Sequence, residues 1–315
     1  MIKITTDSTC DLPAQLLEQH HISVIPLGIV KGGELFRDGE NITTADIAAH
    51  VDAGGDITTT NAVSIGDYEA LFARESARND AVIHLNIGIG FSCCHQNACL
   101  AAEEFDNVHV VDTANLSVGH GLLVLLAAEA AEAGASVEEI LAMLAEKIPQ
   151  VEMSFVLDRL DYMKKGGRCS AVLALGANLL KLHPCIEVQN GKMGVTKKFR
   201  GSIEKVVADY LRDRLSGRTD IDHRRCILVD TAFSDDLAAI GRKVLAEVGG
   251  FDEVIETKAG CTIFCHCGTN TLGVVFCANN SKKQEDRSPV LLLHSRRITW
   301  RRWPRFRTAR PWAGP

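Results

Sequence analysis

Short apolar runs alternate with amphipathic stretches along residues 1 to 280, and this alternation predicts an α/β protein. Strands are expected at Ile2 to Thr6, Ala81 to Leu85 and Val108 to Val111, each followed by a loop and then a helix. Because each helix carries the chain back across the sheet, these strands should run parallel in a Rossmann-like sheet. Ligands of such sheets collect at the carboxyl ends of the strands, where Ser92 and Asp112 would lie.

Pro149 is the best candidate for a boundary between two domains, because two helical stretches end just before it. A second α/β unit should follow, with a hairpin that turns at Asn190-Gly191. We therefore expect an N-terminal α/β domain at residues 1–149 and a smaller C-terminal mixed-sheet α/β domain at residues 150–280.

Residues 281–315 differ in composition from the rest of the chain. They hold ten Lys or Arg and two acids, a net charge of +8, against a net charge of −6 for the whole chain. Residues 1–280 therefore carry −14, an acidic balance that argues against a nucleic-acid-binding surface there. A basic, tryptophan-containing arm for RNA or an anionic membrane is one interpretation of the tail. The abrupt change after the last expected strand favours the other, a disordered, non-native extension.

The cysteines and the chain start indicate the compartment. Eleven cysteines without the spacing of a disulfide scaffold suit reduced thiols. The first residues lack the charged and apolar regions of a signal peptide, and no apolar run reaches about 18 residues. We therefore expect a cytoplasmic protein without stable membrane insertion. A monomer is also expected, because the sequence has no coiled-coil repeat.

Familiar cofactor sites are incomplete in this sequence. The loop Gly88-Ile-Gly90 lacks the third glycine of a dinucleotide-binding turn. Cys261, Cys265 and His266 lie close together, but their spacing does not match that of a zinc site. The chain also lacks the Gly-x-x-x-x-Gly-Lys-Ser/Thr loop that binds nucleotide phosphates. We therefore expect no metal and no cofactor.

A catalytic serine is the enzyme hypothesis that stays open. Gly90-Phe-Ser92-Cys-Cys94 is one glycine short of a nucleophile elbow, and Cys94 would crowd that strained turn. Asp112 and His266 follow in the chain order Ser, Asp, His of α/β hydrolases. The alternative function is therefore a serine hydrolase that acts on acyl esters.

Several segments, in the same order along almost all of residues 1 to 277, resemble motifs of the DegV family of bacterial fatty-acid-binding proteins. They are Thr6-Asp7-Ser8, Thr59-Thr60-Asn61, Gly90-Phe91-Ser92, Lys165-Gly166-Gly167-Arg168 and His266-Cys267-Gly268. Cys93-Cys94 stands where the family has Gly-Thr.

The resemblance implies a carrier that is not itself an enzyme. Such proteins enclose one long-chain fatty acid between two domains. Some present its carboxylate to a separate dihydroxyacetone-kinase-like fatty acid kinase, which forms an acyl phosphate for phospholipid synthesis. On this template the fatty-acid-binding residues are Thr60, Asn61, Ser92, Arg168, His266 and Gly268.

The residue types at these positions suit a carboxylate. A buried carboxylate needs donors, and hydroxyls, an imidazolium and a guanidinium supply them. The tail should provide affinity at about 0.8 kcal/mol per methylene, and the polar residues should provide orientation. Each residue also has a structural interpretation. Thr60 and Ser92 are typical caps of turns or helix starts, His266 suits a packed histidine, and Arg168 suits a surface ion pair.

Overall fold

The computed structural model describes residues 1–174 and 182–279 of the chain. The tail predicted at residues 281–315 lies outside the described residues. The strands are β1 Ile2–Asp7, β2 Ser23–Ile25, β3 Gly28–Lys31, β4 Glu34–Arg37, β5 Thr59–Asn61, β6 Ala81–Asn86, β7 Val108–Asp112, β8 Val151–Val156, β9 Leu182–Gln189, β10 Lys192–Arg200, β11 Ile221–Asp230, β12 Glu253–Lys258 and β13 Leu272–Ala278. The helices are α1 Ala14–Gln19, α2 Thr44–Asp52, α3 Ile65–Ser76, α4 Cys94–Ala102, α5 Ser117–Glu132, α6 Val137–Lys147, α7 Asp161–Gly166, α8 Ser170–Leu173, α9 Ile203–Leu215, α10 Asp236–Val248 and α11 Cys261–Cys267.

A four-stranded parallel sheet forms the centre of the N-terminal half, in the order β2-β1-β6-β7. Ile4 lies opposite Ile83, and Leu85 lies opposite Val111, so the predicted strands pair directly. Every residue of β6 is buried, as expected for a parallel strand with both faces covered. The predicted Rossmann-like sheet is confirmed.

A six-stranded mixed sheet forms the C-terminal half, in the order β10-β9-β8-β13-β11-β12. Its pairs are antiparallel except for β11 with β12. The hairpin between β9 and β10 turns at Asn190 and Gly191, which both have positive φ, as the Asn-Gly pair predicted. This sheet is wider than the parallel one, although its domain was expected to be the smaller.

A three-stranded antiparallel sheet, β4-β3-β5, is a third structural unit that the sequence did not predict as such. Its strands have only three or four residues, too few for a clear period of two. The sheet positions Thr60 and Asn61 on β5.

Helix α5 lies between the two large sheets and contacts strands of both. Its first nine residues are all buried, which requires a helix that is apolar on nearly every side. One core cluster joins Ile83 and Leu123 of the N-terminal half to Phe155 and Val275 of the C-terminal half. The two halves therefore share a continuous apolar core across Pro149.

Helix α11 returns the chain to the N-terminal half. Its fully buried Phe264 belongs to a cluster with Ile29 and Ile47, which lie in β3 and α2. The packing holds one end of the C-terminal half against the three-stranded sheet. None of the helices in the described part of the chain combines the length and the apolar character that a bilayer crossing requires.

Candidate functional site

A cavity of about 450 Å3 lies where the three-stranded sheet and the start of α4 face α7, β8, β10 and α11. Its volume lies in the range of about 300–1,000 Å3 that is usual for small-molecule sites. Its apolar wall is formed by Leu27, Ile87, Phe91, Leu116, Phe155, Met163, Met193 and Ile263. The polar lining residues are Thr60, Asn61, Ser92, Asn97, Arg168, Thr262 and His266. The cavity thus brings together every predicted binding residue except Gly268.

Thr60 and His266 meet across the two halves of the chain. Thr60 Oγ1 and His266 Nε2 are 3.1 Å apart, although the residues are 206 positions apart in sequence. The other ring nitrogen, Nδ1, is buried and has no hydrogen-bond partner among the described residues. It packs against Gly166, where a side-chain Cβ would overlap it. The glycine therefore makes room for the imidazole ring.

The packing of the ring indicates which nitrogen carries the proton. A proton on Nδ1 would leave a buried N–H donor unpaired, and such orphaned donors are rarer than unpaired acceptors. We therefore assign the proton of the neutral ring to Nε2, which then donates to Oγ1 of Thr60. This arrangement leaves the hydroxyl hydrogen of Thr60 free to donate to a ligand in the cavity.

His266 is neutral near pH 7. Burial, with a smaller contribution from the Arg168 guanidinium, lowers the pKa of its imidazole to about 4. The ligand-free protein therefore has a neutral imidazole here, whereas the imidazolium was expected beside a bound carboxylate. The reason is physical, since the site that shelters the ring from water also disfavours its charge.

Asp38 fixes the start of the helix that carries His266. Its carboxylate accepts the backbone N–H groups of Cys261 at 2.9 Å and Thr262 at 3.1 Å. It also accepts the hydroxyls of Thr262 at 2.6 Å and Ser8 at 3.0 Å. The carboxylate thereby satisfies two of the unpaired backbone donors at the N-terminus of α11. Sequence reasoning did not give Asp38 this role, because the bonds join residues more than 200 positions apart.

Ser92 stabilises the start of α4, which is the structural interpretation given to it from the sequence, and it also lines the cavity. Its Oγ accepts the N–H of Cys94 at 3.3 Å in the first turn of α4 and donates to the Cys94 thiol at 3.1 Å. Cys93 is exposed and lines the cavity beside it. Asn97 was not predicted, and its side-chain amide donates to the carbonyl of Val63 at 2.7 Å.

The remaining predicted residues occupy different environments. Arg168 lines the cavity, is exposed, and donates to the carbonyl of Gly166 at 2.7 Å. Asn61 also lines the cavity. Gly268 ends α11 with a φ of 67°, and a Cβ there would come within 2.7 Å of the Tyr162 ring. The structure thus explains Gly268 by backbone conformation and close packing.

The hydrolase residues do not assemble into a triad. Asp112 Oδ1 accepts the N–H groups of Ile89 at 3.1 Å and Ala114 at 2.9 Å, which closes its own loop. Among the hydrogen bonds of residues 1–174 and 182–279, none joins Ser92 to His266 or His266 to Asp112. Within those two ranges, the serine therefore has no activating base.

The cysteines near His266 are packing residues. Cys261 donates to the carbonyl of Ile42 at 3.4 Å, and Cys265 bonds the hydroxyl of Thr58 at 2.9 Å. Burial raises the pKa of both thiols to about 12, so neither is a thiolate at pH 7. Within the described ranges, no group of three or more His, Cys, Asp or Glu side chains is placed to bind a metal ion.

Comparison with known proteins agrees with the resemblance of the sequence motifs to the DegV family. The family model described as "Uncharacterised protein, DegV family" matches residues 1–279. A DegV domain-containing protein of Clostridium acetobutylicum is 33% identical over 279 residues, which cover 87% of this chain and 98% of that protein.

Solved structures share the fold. A structure from Thermus thermophilus, described as fatty acid binding of a DegV family protein, matches with a TM-score of 0.80 at 32% identity and covers 88% of this chain and 99% of that one. Bacillus subtilis DegV, described as a fatty acid binding protein, matches with a TM-score of 0.73 at 27% identity over 88% and 99%.

Proposed function

Because this chain belongs to the DegV family, we propose that it binds one long-chain fatty acid in the cavity and acts as a carrier rather than an enzyme. One observation carries the proposal. A mostly apolar cavity of about 450 Å3 contains a hydrogen-bonded Thr60–His266 pair in its wall. An apolar cavity with a few convergent polar groups is suited to a molecule that has a long hydrocarbon tail and one polar end.

The head group is the part of the ligand that the polar residues hold. Thr60 donates its free hydroxyl hydrogen to the carboxylate, while the Nε2–H of His266 orients the hydroxyl oxygen. Ser92 is the second donor, because its present acceptor, the Cys94 thiol, is a weak one that a carboxylate displaces. Arg168 lies beside the cavity as the nearby positive charge.

The tail supplies most of the affinity. At about 0.8 kcal/mol per buried methylene, a tail of about fifteen carbons gains on the order of 10 kcal/mol before the costs of association. Each hydrogen bond to the charged head group adds roughly 1.5–3 kcal/mol. Tail burial therefore dominates binding, and the head-group residues determine which end of the ligand lies beside them.

We propose in addition that the bound acid is presented, in the cytoplasm, to a separate dihydroxyacetone-kinase-like fatty acid kinase for phospholipid synthesis. A carboxylate oxygen attacks the γ-phosphorus of ATP on the partner, ADP leaves, and an acyl phosphate forms. The absence of a phosphate-binding loop from the sequence supports a division between carrier and kinase. The exposure of Arg168 beside the cavity supports a partner contact at this face.

Native mass spectrometry of protein purified without detergent tests the carrier function. The expected mass exceeds that of the chain by one fatty acid, which organic extraction then releases for identification. Incubation with a chromogenic acyl ester should give no turnover, in contrast to a hydrolase. An empty protein that also fails to take up added palmitate would refute the proposal.

A further inference from the structure

We propose that a small void behind the apolar wall of the cavity limits the length of the acyl chain that the protein holds, an inference that rests on the proposed function. The void has a volume of about 20 Å3. Four residues border both the void and the main cavity: Leu116, Phe155, Ile263 and Cys267. These four side chains form the partition between the two spaces.

The partition marks the tail end of the site. All four of its side chains are apolar or carry a buried thiol, and the head-group residues Thr60, Ser92 and His266 do not border the void. On this proposal, a fatty acid with its carboxylate at Thr60 directs its methyl end towards the partition. The longest fatty acids that fit in the cavity contact the partition with their methyl ends.

The void suits a methyl group better than a water molecule. A site for water requires two or more free polar partners. Each polar side chain around this void is already hydrogen bonded within the protein: Ser117 to Asp11, Asp230 to Lys258, Thr231 to the N–H of Thr271, and Thr271 to the carbonyl of Cys267. The surface that remains is apolar.

The two volumes give the approximate capacity. A methylene is about as large as a water molecule, whose share of liquid volume is about 30 Å3. The main cavity, at about 450 Å3, therefore holds on the order of fifteen heavy atoms, and the void holds about one more. Two of these atoms are the carboxylate oxygens, so acids of about twelve to fourteen carbons fill the main cavity, and longer acids reach the partition.

Gly273 and Met153 determine the size of the void. Gly273 lies in β13, and a Cβ there would be 3.0 Å from the Ser154 carbonyl oxygen and 3.1 Å from both Met153 Cε and Phe155 Cβ, so its missing side chain leaves room for the neighbouring strand and keeps the space open. Met153 on β8 lines the void with a long, unbranched side chain, which is the adaptable part of its wall. Met193 lines the main cavity but not the void, and so provides a control of the same residue type.

Displacement of a fluorescent fatty acid by saturated acids of 12 to 20 carbons tests the inference. Met153→Ala should move the optimum about two carbons longer and raise eighteen-carbon binding relative to fourteen-carbon binding by about sixteenfold, at about fourfold per added methylene. Gly273→Ala should move the optimum in the opposite direction, and this variant keeps the test decisive if Met153→Ala does not fold. Met193→Ala should weaken all chains to a similar extent.

The outcomes separate this inference from the function on which it rests. An unchanged order of chain-length preference in the variants, while the wild type binds fatty acids, would overturn the inference alone. An equal shift in Met193→Ala would also overturn it, because that residue does not border the void. A wild type that binds no acid of any length would overturn the carrier function and this inference together.

Discussion

The substitution Gly166→Ala should separate head-group recognition from tail binding. A Cβ at this position would overlap Nδ1 of His266, so the ring must move by roughly 1 Å or more to regain a normal contact distance. A shift of this size disrupts the hydrogen bond between Nε2 and Thr60 Oγ1, which are now 3.1 Å apart. The hydroxyl then loses its orientation. A hydrogen bond to a charged group is worth about 1.5–3 kcal/mol, so affinity for the acid should fall by roughly tenfold to a hundredfold.

Calorimetry with palmitate and its methyl ester measures the head-group effect by itself, because both ligands have the same tail. Gly166→Ala should weaken palmitate binding and leave binding of the ester nearly unchanged. Gly167→Ala is the matched control. Gly167 has a φ of 69° and nothing within 4 Å of its Cβ position, so alanine there strains the backbone without touching His266. An equal loss for acid and ester, or the same acid-specific loss in Gly167→Ala, would refute the reasoning.

Three further predictions use other residues of the site and its supports. Thr60→Val should weaken palmitate binding by about tenfold, because valine lacks the hydroxyl that donates to the carboxylate, and Thr60→Ser should retain binding, because serine keeps it. If calorimetry showed the same loss of palmitate affinity in both variants, the proton assignment would be contradicted. Asp38→Ala should lower the free energy of unfolding in urea by at least about 2 kcal/mol, because four donors lose their acceptor. Asp46→Ala, at the exposed cap of α2, should cost much less, and similar losses would argue against the role of Asp38. Burial raises the pKa of Asp11 to about 8, so the stability that its protonated form provides is full below about pH 4 and is lost as the pH rises towards 8. Between pH 5 and pH 7 the free energy of unfolding of the wild type should therefore fall by about 3 kcal/mol relative to that of Asp11→Asn. A difference in unfolding free energy between the two proteins that does not change with pH would count against the raised pKa of Asp11.

The sequence predicted the parts of the fold that depend on local pattern. The apolar run at β6 is a parallel strand because burial on both faces requires apolar residues at every position. The Asn190-Gly191 turn could be predicted because both residues tolerate the positive φ that a two-residue hairpin needs. Both features depend on residues that are close together in sequence.

Helix α11 could not be predicted in the same way. It is seven residues long and buried at nearly every position, so it has no polar face to reveal a helical period. Its start is held by Asp38 and its His266 bonds Thr60, over separations of more than 200 residues. Resemblance to a family indicated His266 and Thr60. The neutral ring depends on burial, which only the three-dimensional structure shows.

The neutral state of His266 fits a carrier that presents its ligand to a kinase. In the proposed reaction a carboxylate oxygen attacks phosphorus, so negative charge leaves the carboxylate in the transition state. A buried imidazolium would stabilise the ground-state carboxylate through a charge-assisted bond, about twice as strong as a neutral one, and part of that bond would be lost on attack. In the ligand-free protein the low pKa of His266 keeps the ring neutral, and a ring that stays neutral gives the weaker arrangement, in which Thr60 holds the carboxylate and the ring orients Thr60. Such a site keeps the head group in place and leaves its oxygen reactive, while the apolar wall supplies the affinity.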